Sequence, residues 1–155
     1  MTEHPRIALI GYGRMGKELH RMIGERAWPD PVIIDPSERV AFSSIDDAPM
    51  ETVDVCIEFT EPSRAADIAL QTLQCGIPLV SGTTGWDSRK KEIREFVDRS
   101  QGAFLHANNF SIGVSVFSKI VAHAAMLLSK FPQYDIALHE FHHRGKKDVP
   151  SGTAR

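Results

Sequence analysis

The sequence predicts an α/β fold, a Rossmann-like doubly wound parallel sheet followed by the beginning of a second, α+β domain. Three observations predict it. Short apolar runs alternate with longer segments of helical periodicity, the pattern of strands joined by crossover helices. A Gly11-Tyr12-Gly13-Arg14-Met15-Gly16 turn separates the first run from the first helical segment. From Asn108 the character changes to a long apolar helix and an alternating segment.

Taken in order, residues 6–10 read as a first strand, 17–26 as a helix and 31–34 as a second strand. Residues 53–59 form a third strand, apolar enough to be buried on both faces. A helix over 65–74 begins just after Pro62 and stops at Gly76, a C′ glycine. Leu79 and Val80 make a fourth strand, Asp87 and Ser88 cap a helix running to Arg99, and 103–106 return as a strand. Beyond a hinge at 108–111, residues 113–130 are a helix and 136–141 alternate as a strand. The expected domains are therefore 1–107, a dinucleotide-binding domain, and 108–155, an incomplete second domain.

A chain of 155 residues with 42% hydrophobic content can bury one proper core and a small appendage. Its net charge of −2 gives no general attraction to nucleic acid or an anionic membrane, so small molecules or protein are the expected partners. Cys56 and Cys75 are too few for a disulfide framework or a Cys-rich metal site, which suits a reducing cytoplasm. Met1 and the residues after it lack a secretory leader's basic start and apolar run, and no stretch approaches a membrane span. A soluble, cytoplasmic protein is expected.

The glycine turn matches G-x-G-x-x-G in the setting that gives the pattern meaning, after a strand and at a helix start. The first glycine permits the turn, the second lets the backbone approach a pyrophosphate, and the third lets helix and strand pack closely. The helix N-terminus offers free N–H groups and a positive dipole end. Asp35 follows Gly16 at the usual distance, where an acid hydrogen-bonds the ribose hydroxyls. An acid there repels a 2′-phosphate and favours NADH, while the nearby Arg39 leaves NADPH open. A second turn, Ser81-Gly82-Thr83-Thr84-Gly85, falls at the same sheet edge and could line the nicotinamide end; an ordinary loop of small residues would read the same way.

Near the C-terminus, His142-His143-Arg144-Gly145-Lys146-Lys147-Asp148 concentrates cationic groups suited to an anionic substrate and to proton transfer. Pro150-Ser151-Gly152-Thr153 adds small donors at a helix start, a natural carboxylate cradle. From the residues alone, a solvated basic loop is the plainer account. His139-Glu140-Phe141-His142-His143 spells H-E-x-x-H, the zinc-peptidase signature. That chemistry needs both histidines on one helical face, whereas the residues before it alternate like a strand, and a third ligand is hard to find downstream. No metal is expected.

Together these residues make the chain resemble the 4-hydroxy-tetrahydrodipicolinate reductase family, also called dihydrodipicolinate reductase, of lysine and diaminopimelate synthesis. The resemblance spans nearly the whole chain. It is carried by Arg14-Met15-Gly16, Ile57-Glu58-Phe59-Thr60, Gly82-Thr83-Thr84-Gly85, Asn109-Phe110-Ser111-Ile112-Gly113-Val114 and the run from Glu140 to Ala154. It implies hydride delivery from NADH or NADPH to C4 of a cyclic, dicarboxylate-bearing imine, with protonation and loss of water. It further implies that His142 and Lys146 are the acid-base pair and that His143, Gly152 and Thr153 contact the substrate carboxylates. The implied cofactor contacts are Gly11, Tyr12, Gly13, Arg14, Met15, Asp35, Gly82, Thr83, Thr84, Ala107, Asn108, Asn109 and Phe110. A homotetramer built through the substrate and oligomerisation domain is also implied. The glycine loop is one residue shorter than the family's commoner G-x-x-G-R-M-G form, and the family continues well past the Ser151-Gly152-Thr153-Ala154 motif. The 155 residues are thus expected to be a truncated form, inactive alone, for which dinucleotide binding without catalysis is the alternative reading.

Overall fold

The computed structural model describes residues 4–37, 42–137, 139–141 and 144. The chain divides into two compact units, Met1–Ala107 and Asn108–Arg155.

The first unit is a five-stranded parallel sheet in the order β2-β1-β3-β4-β5, built from β1 (Ile7–Ile10), β2 (Val32–Ile34), β3 (Val55–Glu58), β4 (Leu79–Ser81) and β5 (Phe104–His106). Its helices are α1 (Arg14–Glu25), α2 (Pro62–Gln74) and α3 (Lys90–Ser100). The side-chain alternation of the strands splits the core in two. Ile7 and Leu9, with the half-buried Val55 and Ile57, meet Leu19 and Ile23 of α1 on one face. Ala8, Ile10, Cys56 and Leu79 meet Ala65, Ala69 and Leu73 of α2 and Ile93 of α3 on the other. Helices on both faces make the sheet doubly wound, and they explain why β1 is buried at every residue.

Local chemistry accounts for the helix bounds. Pro62 opens α2 at a position whose N–H has no intrahelical partner, and Gly76, at φ +73°, turns the chain out after Cys75. The helix expected from Asp87 begins instead as a 3-10 turn over Asp87–Arg89, and α3 starts at Lys90. The first helix starts earlier than its periodicity suggested, because the glycine turn passes straight into Arg14.

The second unit holds α4 (Ile112–Leu128), whose N-cap Ser111 accepts a hydrogen bond from the Val114 N–H at 3.4 Å. It is apolar on most sides, and no residue of it is buried; Ile112, Val116, Phe117, Ile120, Met126 and Leu127 are exposed. The strand expected over 136–141 is not formed among the described residues, since 134–137 and 139–141 have no regular structure and Leu138 lies outside them. A strand is held by ladder hydrogen bonds, and no other strand exists among the described residues of this unit.

Candidate functional site

The sheet order creates the site. From β1 the chain turns to β2 on one side, while β3 pairs on the other. The loops leaving β1 and β3 therefore diverge at a topological switch point, where open α/β sheets bind ligands. A cleft of about 300 Å³ lies there. Gly13, Arg14 and Met15 from the turn after β1 line it, with Phe59, Thr60 and Pro62 from the turn after β3 and Gly82, Thr83 and Thr84 from the turn after β4.

Each glycine of the first turn has a different cause. Gly11 has φ +90°, and a Cβ there would fall 2.2 Å from the Phe59 carbonyl oxygen. At Gly16 a Cβ would fall 2.2 Å from the Gly11 carbonyl oxygen, so close passage of helix and turn excludes a side chain. At Gly13 a Cβ would meet nothing within 4 Å. The protein's own packing thus does not require glycine at 13; what its absent side chain leaves is clear space at the head of α1. Gly13 is the N-cap of α1, no side chain caps the helix, and no acid stands in its first turn. Amides and dipole there are available to an anion, with Arg14 adding positive charge at the cleft.

Asp35 is tied to the same turn. Its Oδ2 accepts the Tyr12 N–H at 2.7 Å, and its Oδ1 accepts the Ser37 N–H at 2.8 Å and the Ser37 hydroxyl at 2.7 Å. The carboxylate is thus fixed at the end of β2. The Tyr12 ring lies beside Gly16, and its hydroxyl meets His20 Nδ1 at 2.6 Å while His20 Nε2 meets Asp30 Oδ1 at 2.8 Å. This chain draws the Tyr12 side chain along α1 and away from Gly13.

Beneath the cleft, composition and motif spacing had assigned no role to Glu58. It is fully buried at the end of β3. Oε1 accepts the Thr60 N–H at 2.7 Å and the Thr60 and Thr83 hydroxyls at 2.5 Å each, and Oε2 accepts the Ser81 hydroxyl at 2.6 Å. The Thr83 carbonyl accepts the Trp86 indole N–H at 2.7 Å and lies 3.0 Å from His106 Nε2. Phe59, Thr60 and Pro62 of the cleft were also missed as contacts. The available signal was an acid closing a strand of otherwise apolar residues.

The structure thus gathers Gly13, Arg14, Met15, Gly82, Thr83 and Thr84 around one cleft, with Gly11, Tyr12 and Asp35 forming its β1 and β2 side. Ala107 extends the β5 edge through its N–H to the Ser81 carbonyl at 3.3 Å. Asn108, Asn109 and Phe110 belong to the second unit, where Asn109 Oδ1 accepts the Ser111 N–H at 2.7 Å and Phe110 is about half exposed. His142, His143, Lys146, Gly152 and Thr153 lie outside the described residues, as does Arg39. Residues 139–141 of the H-E-x-x-H run are not helical.

Comparison with known proteins adds the family. Residues 5–110 match the family model described as dihydrodipicolinate reductase, N-terminus, and residues 113–155 match its C-terminus counterpart. The chain belongs to the dihydrodipicolinate reductase family. Within this family it is 34% identical to 4-hydroxy-tetrahydrodipicolinate reductase of Christiangramia forsetii over 148 residues, which cover 96% of this chain and 60% of that protein. It is 38% identical to the Xanthomonas euvesicatoria enzyme of the same name, over 92% of this chain and 62% of that protein. A dipicolinate-bound dihydrodipicolinate reductase from Paenisporosarcina sp. TG-14 superposes with a TM-score of 0.74 at 25% identity, covering 97% of this chain and 62% of that one. GenD2 of gentamicin A biosynthesis, solved with NAD, shares the fold at TM-score 0.61 and 17% identity over 79% of this chain and 40% of that one. The chain therefore spans about 60% of the length of the curated relatives it matches.

Proposed function

We propose that the chain forms the dinucleotide-binding domain, residues 1–107, and the beginning of the substrate-binding domain, residues 108–155, of a reductase. The reaction is hydride transfer from NADH or NADPH to 4-hydroxy-tetrahydrodipicolinate, with uptake of a proton and loss of the hydroxyl as water, giving tetrahydrodipicolinate and the oxidised coenzyme in lysine and diaminopimelate synthesis. The observation that carries the cofactor half is the clear space at Gly13, at the uncapped head of α1 and at the β1/β3 switch point. The substrate half rests on membership of the family and on the run from Glu140 to Ala154.

In this reading the amides of Gly13, Arg14 and Met15 hold the pyrophosphate, and Asp35 accepts the adenosine ribose hydroxyls. Gly82, Thr83 and Thr84 border the nicotinamide end, and the family resemblance adds Ala107, Asn108, Asn109 and Phe110 as cofactor contacts. The bound cofactor supplies the hydride. His142 and Lys146 hold and deliver the proton that accompanies it, and His143, Gly152 and Thr153 hold the two substrate carboxylates. A doubly anionic substrate loses hydration on entering a cleft, so fixed cationic and N–H partners offset that cost. Asp35 disfavours a 2′-phosphate and favours NADH. The site of action is the cytoplasm and the assembly a homotetramer; no described helix is long and apolar enough to cross a membrane.

For the 155 residues alone a second reading is dinucleotide binding without turnover, favoured by their spanning about 60% of the relatives' length. Titration with NADH and with NADPH, each with and without substrate, tests both. Binding together with substrate-dependent oxidation supports the reductase reading for this chain; binding without oxidation supports the second; failure to bind either coenzyme refutes both.

A further inference from the structure

Glu58 is the only buried charged side chain among the described residues, and its partners are three hydroxyls and an amide rather than a cation. A carboxylate accepts only, and its two oxygens offer about four lone-pair sites. Four donors, from the end of β4 and from the turns after β3 and β4, converge on it. Thr60 belongs to the turn after β3, Ser81 ends β4, and Thr83 belongs to the turn after β4. The Thr60 N–H also reaches Thr83 Oγ1 at 2.8 Å, so the Thr83 hydroxyl accepts from one turn while donating to the carboxylate below.

The turn after β3 is the middle one of the three that line the cleft. On one side its Phe59 carbonyl and Thr60 methyl crowd Gly11, and on the other its Phe59 ring occupies the place of a Cβ at Gly82. Whatever ties this turn to the turn after β4 sets the spacing between those two. Glu58 is sealed beneath it and lines no part of the cleft.

We propose that Glu58 is a positioning residue that sets the nicotinamide side of the cleft, by tying the turn after β3 to the turn after β4 through Thr60, Ser81 and Thr83. The proposal rests on the cleft accepting a dinucleotide. It goes beyond that reading in locating the control of the nicotinamide half in a group that touches no ligand. With its hydroxyl and carbonyl both engaged internally, Thr83 is fixed in orientation, and Thr84 is left to present its polar groups to the cleft. The adenosine half, held by the first glycine turn and Asp35, is independent of the carboxylate.

The test compares two probes, NADH and ADP-ribose, which lacks the nicotinamide ring, on the 155-residue chain and its Glu58→Gln variant. Glutamine has the shape of glutamate, but it turns an N–H₂ group towards donors and removes the charge that strengthens their bonds. The expected result is NADH binding weakened at least fivefold with ADP-ribose affinity unchanged within twofold. Equal weakening of both probes, or no change in either, overturns the proposal, because a purely structural role cannot tell them apart. If Glu58→Gln does not fold, Ser81→Ala is judged by the same criterion; Ser81 is 1% exposed, lines no cleft surface and donates to the same carboxylate. An unaltered chain that binds neither probe nor NADPH overturns the cofactor reading itself, an outcome distinct from failure of the positioning role.

Discussion

Replacing Gly13 by alanine should separate ligand binding from folding. The residue has φ −73° and ψ −155°, which alanine adopts without strain, and the new Cβ meets nothing within 4 Å. Gly→Ala at a compatible position gains about 0.4–1 kcal/mol through the unfolded state, while alanine at an N-cap loses a similar amount. The net change in stability is therefore within about 0.5 kcal/mol, a shift in Tm of roughly 2–4 °C at most. The methyl group does, however, fill the space at the head of α1 that a pyrophosphate must enter. Loss of one charge-assisted hydrogen bond, about 1.5–3 kcal/mol, weakens NADH binding roughly 10- to 100-fold. Gly11→Ala is the contrast. There φ is +90° and the Cβ would sit 2.2 Å from a backbone oxygen, so strain and overpacking cost about 2–5 kcal/mol and Tm falls by roughly 10 °C. Thermal unfolding and NADH fluorescence titration of both variants decide the matter. Unchanged NADH affinity in Gly13→Ala, or a loss of stability matching that of Gly11→Ala, refutes the cradle.

Asp35→Ala is expected to weaken NADH binding and to raise the relative affinity for NADPH, measured by parallel titrations; an unaltered ratio removes Asp35 from the ribose site. In a version extended to the relatives' length, Lys146→Ala is expected to lower kcat by roughly 10²- to 10⁴-fold, the range for a lost general acid, with NADH affinity kept, and equal losses in both contradict its proposed role. Burial pushes the Cys56 thiol from 9.0 up to about 12, the nearby Cys75 adding a smaller effect. In the native chain iodoacetamide therefore labels the exposed Cys75 and spares Cys56, and mass spectrometry showing early Cys56 labelling counts against this. Between pH 9 and 12 the unfolded thiol loses its proton while the folded one keeps it. Stability consequently declines as pH rises through that window, by up to about 1.4 kcal/mol per pH unit. Denaturant melts of Cys56→Ala should show a shallower alkaline loss than the parent chain.

Much of the fold was legible because strand and helix patterns depend on near neighbours. The four apolar residues of β1, the glycine turn, Pro62 and Gly76 each announce a local conformation whose cause lies within a few positions. Element ends were less legible: the third strand runs over Val55–Glu58 rather than 53–59, since pairing with β1 and β4 sets its length. The alternation at 136–141 shows the limit of periodicity. Alternation says which faces a strand would have, not whether a neighbour stands ready to pair with it.

The sequence alone contained the βα order, the pyrophosphate-type turn with its acid downstream, and the family motifs in their order. All of these are encoded in spacing along the chain. The cleft was not so encoded. Thr60 and Thr83 are 23 residues apart, and they share one buried carboxylate because β3 and β4 pair in parallel with Glu58 beside Ser81. Which residues meet beneath the cleft follows from strand order and register, and long-range pairing of that kind leaves no mark on local periodicity. The same physics separates the glycines: one spacing rule picked out all three, but only their surroundings reveal that Gly11 and Gly16 are required by the protein's own backbone, whereas Gly13 faces open space at the helix head.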